Sequence, residues 1–157
     1  MSERLATLKA EIEADLQTIQ RIYDDLARQG DVIASQEQAI VVGYYLHNLY
    51  SAFEDIFERV AEVFENSVSD AAHWHAQLLR RMTLDIEGVR PRLLSAEAYE
   101  CLDELRRFRH VFRSMYAASL DAERLRLVIK RAKRLRSIYQ ADLGRFIAFL
   151  DRLQAQT

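Results

Sequence analysis

Apolar residues fall at alternating steps of four and three from Val42 through Leu46, Leu49, Phe53, Ile56 and Val60 to Val63. A segment that keeps this spacing beyond two heptads folds as a long helix, because only a helix brings such positions onto one side. The seam predicts a long helix of an antiparallel bundle, or one shared with a second subunit. The same rhythm runs through Leu5, Leu8, Ile12, Leu16, Ile19, Tyr23 and Leu26 until Gln29-Gly30-Asp31 stops it. Gly30 is the expected left-handed residue past that helix end. Ser35 to Gln38 reads as a capping box at the head of the second helix. Ser69 or Asp70 caps a shorter helix through Trp74, Leu78, Leu79 and Met82, and residues 83–94, with Gly88 and Pro91, form a loop. Ser95 caps a fourth helix holding Cys101, Leu102, Leu105, Phe108, Phe112 and Met115, and Asp121 caps a last one from Ala122 to Leu153.

The prediction is therefore an all-α fold, an up-and-down bundle of about five helices in one domain over residues 1–157. Four Gly, one Pro and one Cys exclude a β-sandwich, a Gly-rich phosphate-binding domain and a disulfide scaffold. The first residues form no apolar signal-peptide core, and no apolar run approaches ~18 residues. A soluble cytoplasmic protein without membrane contact is expected.

Net charge is −2, but it is segregated. Residues 1–66 carry 13 Asp and Glu against 5 Lys and Arg, whereas residues 104–137 carry 11 Lys and Arg against 3 acids. Nine of those eleven are Arg, whose planar fork suits phosphate. Two readings stay open: a face for nucleic-acid phosphate, or an acidic first half folded against a basic second half.

His73 and His75 flank Trp74 two residues apart, on different sides of a helix, so they share no metal. With Cys101 alone and no HExxH or Gly-rich loop, neither metal nor cofactor is expected. Cys101 reads as a small core residue and His47 as a half-buried imidazole hydrogen-bonded by a neighbour. On the fourth helix Leu105, Phe108, Phe112 and Met115 face inward. Arg109, Arg113 and Tyr116 share one face, and Arg106, His110 and Arg113 the adjacent strip. Such crowded cations need an anion opposite: carboxylates of the first two helices, or RNA phosphate beside a proton-carrying His.

Three pieces in order carry a family resemblance: Leu46-His47-Asn48-Leu49-Tyr50 with Glu54-Asp55-Ile56-Phe57; Trp74-His75 with Leu78-Leu79 and Met82; and Phe108-Arg109-His110-Val111-Phe112-Arg113 with Tyr116 and Leu120-Asp121. Together they resemble the HepT-like ribonuclease toxins of the HEPN superfamily, paired with a minimal nucleotidyltransferase antitoxin. The resemblance implies an all-helical, two-fold homodimer whose motif helices meet in a cleft, and metal-independent cleavage of RNA through an Arg-x4-6-His motif often extended to a Tyr. Arg109 matches the motif Arg and Tyr116 the motif Tyr, which the antitoxin modifies by AMP transfer. The His position falls on Ser114. A hydroxyl is no base near neutral pH, so the favoured reading gives the proton role to His110, with Arg106, Arg109 and Arg113 on phosphate. The alternative is a weak or inactive HEPN-type module that holds a nucleotidyltransferase or a nucleotide.

Overall fold

A computed structural model describes residues 1–65, 73–114 and 120–157. Six helices account for nearly all of them: α1 Ser2–Arg28, α2 Gln36–Phe64, α3 Trp74–Arg81, α4 Ala96–Arg113, α5 Ala122–Arg136 and α6 Tyr139–Ala155. In this all-α bundle α1 packs along α2, α2 against α4, α4 against α5, and α6 back on α1. The expected seam of α2 lies in the core: Val42, Leu46, Leu49, Phe53, Ile56 and Val60 are buried. It is covered within the chain rather than left for a second subunit.

The predicted stops and caps form as local chemistry dictates. Gly30 has φ +78°, and the α1–α2 turn closes on Gln38, whose side-chain amide donates to the carbonyls of Gln29 and Val32. The hydroxyls of Ser35 and Ser95 accept from the amides of Gln38 and Ala98, and the carboxylate of Asp121 from that of Glu123. Each satisfies a donor that a helix start leaves without an intrahelical partner. The caps proposed at Ser69 or Asp70 lie outside the described residues.

One element differs from expectation. The last helix breaks at Ser137–Ile138, giving six helices where about five were expected. Its apolar spacing continues through Leu135, Tyr139 and Phe146, so nothing in the sequence marks the break. The cause is packing. Unbroken, residues 122–155 would run about 50 Å at 1.5 Å per residue, past the end of the 29-residue α2. The break lets α5 follow α4 and α6 follow α1. Tyr139 opens α6 stacked on Tyr23 at 5.8 Å and edge-on to Phe53 at 5.4 Å, while the Tyr23 hydroxyl donates to the Ala132 carbonyl at 2.7 Å.

Two buried charges fix α3 and α4 where the site needs them. Asp142 of α6 accepts from the Ser95 amide at 2.9 Å and its hydroxyl at 2.8 Å, anchoring the start of α4. Arg90, with a fully buried side chain, donates to both carboxylate oxygens of Glu65 and to the carbonyls of Arg81, Leu84 and Pro91. That closes the α3–α4 connection onto the end of α2.

Candidate functional site

The basic run on α4 lines one side of a cleft of about 280 Å³. Arg106, Arg109, His110 and Arg113 come from α4, and His73 and His75 from the head of α3. Leu105 and Phe108 hold the opposite side of α4 in the core, which turns the arginines outward. The two α3 histidines were expected on different sides of a helix. They share the cleft because His73 is the N-cap, with φ −113° and ψ 24°, so helical spacing does not yet apply to it.

Two of the lining residues, His75 and Arg109, rest on a buried carboxylate from α2. Glu54 is only 4% exposed, with Oε2 2.8 Å from Nδ1 of His75 and Oε1 3.4 Å from Nη1 of Arg109. One buried acid thus orients a histidine of α3 and an arginine of α4. The Arg109 guanidinium also lies 5.9 Å above the Tyr50 ring. The other arginines differ in how far they are already paired. Asp103 of α4 takes Arg106 at 2.8 Å and Arg107 at 2.6 Å, whereas Arg113 is exposed and has no ion pair among the described residues. The acidic half neutralises part of the basic half, through Asp31 with Lys133 and Asp24 with Arg136, and at the cleft through Glu54 with Arg109.

Arg109 and Arg90 differ in how many of their donors the protein uses. Arg90 directs all five of its N–H groups at protein oxygens. Arg109 makes one long contact, and its Nε is buried without a partner among the described residues. An unpartnered buried donor on a cation is costly, and Arg109 also lines the cleft, where the exposed part of its guanidinium can meet an external acceptor.

The surrounding titratable groups are shifted consistently. Burial lowers the proton affinity of His47 on α2; the Asn48 amide 3.3 Å away opposes this, and Arg109 and Arg113 add to it. His47 therefore sits half-buried with its expected hydrogen bond, within the field of the cleft. Burial raises the carboxyls of Asp55 and Glu58, with Asp15 adding to the first and Glu54 and Asp55 to the second. Burial and the Glu54 charge likewise raise the Tyr50 phenol, whose oxygen is buried without a partner among the described residues.

A family model described as HepT-like protein matches residues 41–150, the span from α2 into α6 that carries every cleft residue. The chain belongs to the HepT-like family. No curated protein and no solved structure matches it. In this HepT-like chain the structure brings Arg106, Arg109, His110 and Arg113 together as one lining. Ser114 is not part of that lining; it is the C-cap of α4, and its hydroxyl donates to the His110 carbonyl at 3.0 Å. Tyr116 lies outside the described residues. Sequence reasoning missed Glu54 and His75 as site residues. The available signal was a carboxylate directly after Phe53 of the α2 seam, at a position that must be half inside.

Proposed function

We propose that this HepT-like protein is the toxin of a toxin–antitoxin pair, a metal-independent endoribonuclease that works as a two-fold dimer. The observation that carries the reading is Arg109, an incompletely paired cation in a cleft shared with Arg106, Arg113 and three histidines. In the reaction the RNA 2′-oxygen attacks the adjacent phosphorus and loses its proton, the bond to the 5′-oxygen breaks, and that oxygen gains a proton. The products are a 2′,3′-cyclic phosphate and a 5′-hydroxyl. Arg106, Arg109 and Arg113 stabilise the charge on the crowded phosphorus, and His110, exposed at the cleft rim, gives the departing oxygen its proton.

The antitoxin would be a minimal nucleotidyltransferase that moves AMP from ATP to Tyr116, releasing pyrophosphate. The added phosphate would compete for the same arginines. Dimerisation fits the exposed Ile40, Val41 and Tyr44 of α2 and Val111 of α4, which flank the Gly43–Phe112 contact in sequence. The test is RNA cleavage by purified protein in EDTA, alone and after co-expression with a nucleotidyltransferase. Wild type is expected to cut and Arg109→Ala to lose about 10²–10³-fold, the scale of one lost transition-state donor. The co-expressed protein is expected to be inert and to carry an adenylyl mass on Tyr116. An inert wild type supports the second reading, a non-catalytic module, which Ser114 favours because its hydroxyl is engaged by a backbone carbonyl.

A further inference from the structure

Transesterification at phosphorus moves two protons, one from the 2′-hydroxyl and one to the 5′-oxygen. His110 serves the second, leaving the first without a residue. Resting on the ribonuclease reading, we propose that His75 of α3 is the base that takes the 2′-hydroxyl proton, and that the buried Glu54 is the residue positioning it.

The geometry is that of an imidazole fixed by an acid. Nδ1 of His75 stands 2.8 Å from Oε2 of Glu54. A carboxylate only accepts, so Nδ1 carries the hydrogen and the neutral ring keeps its lone pair on Nε2. Nε2 has no hydrogen-bond partner among the described residues, on a ring that lines the cleft beside Arg109. The ring is packed at 3.8 Å between centroids against Trp74, which limits its rotation. Because the same carboxylate contacts Arg109, one group from α2 sets both the proton acceptor and the phosphate ligand.

In the step, the 2′-hydroxyl proton passes to Nε2 while its electron pair forms the new bond to phosphorus. The bond to the 5′-oxygen breaks and His110 supplies that oxygen's proton. His75 ends with one proton more, His110 with one fewer, and no other reactant enters. The Glu54 carboxylate then faces the imidazolium it has helped to form, as the orienting acid does in other carboxylate–histidine pairs.

A purely structural pair predicts something different. There, His75 would only satisfy a buried acid, and variants would change melting temperature without changing the rate. His75→Asn separates the two, since its amide can still donate to Glu54 but offers no basic nitrogen. It is expected to melt near wild type and to lose about 10²–10⁴-fold in kcat on an RNA oligonucleotide in EDTA, with KM unchanged. Glu54→Gln is expected to lose less, and 15N spectra of the His75 ring to pass from the Nδ1–H form to a mixture of both tautomers. Wild-type kcat in His75→Asn, or Nε2–H as the wild-type form, overturns the assignment while the nuclease reading stands. A wild type that leaves RNA intact overturns both.

Discussion

At the scale of single residues, the cleft owes its character to how few acids face it. Glu58 on α2 shows the penalty of adding more. Its folded-state carboxyl is raised above the ordinary 4.5 by burial and by Glu54 and Asp55, outweighing the attraction of His75 and Arg109. The folded chain therefore binds more protons than the unfolded chain in the window just above 4.5. Stability from this group is present below that window and is lost as pH rises through it. Glu58→Gln is accordingly expected to raise the melting temperature at neutral pH and to leave it unchanged near pH 4, read by calorimetry at both. The arginines, His110 and the Tyr50 segment stood out in the sequence because each sits in a dense local pattern. The pairings of Glu54, His75 and Arg90 did not, since they join partners 21, 55 and 25 residues apart.

Among the elements, α2 and α4 come close at Gly43. A Cβ built there would stand 2.7 Å from the Phe112 ring and 3.3 Å from a methyl of Leu120. Alanine would gain about 1 kcal/mol of helix propensity. The displaced ring and methyl would cost about 1–3 kcal/mol, as overpacking does elsewhere. Crowding wins, so Gly43→Ala is expected to lower the denaturation midpoint in urea and to shift the last turn of α4, seen as NMR changes at Arg113. Helix identity and most caps were legible because Ser35, Ser95, Asp121 and Gly30 act on their own neighbours. The break after Arg136 was not, because it answers to the length of α2 and the position of α1, which no local window contains. The buried Asp142 was hidden for the same reason: its value lies in the Ser95 amide, 47 residues away.

On the scale of the whole molecule, a chain of net charge −2 can meet a polyanion only if its charges are sorted onto separate faces. Folding cancels some of them, through Asp24 and Asp31 against α5 and through Glu54 and Asp103 at the cleft, and leaves Arg113 without an ion pair among the described residues. Light scattering is expected to give twice the 18.3 kDa chain mass, and Ile40→Glu with Tyr44→Glu to give a single chain. A wild type that scatters as one chain would remove the two-fold arrangement. No helix of the described residues is long and apolar enough to cross a membrane. The α3 segment that carries His75 depends on a different kind of tie. Arg90 meets five acceptors with five donors, in a fixed plane and without solvent. Lysine, the nearest exchange that keeps the charge, brings three donors on a flexible tip. Position 90 is thus a place where the genetic alphabet has no synonym, and drift in this chain must go around it.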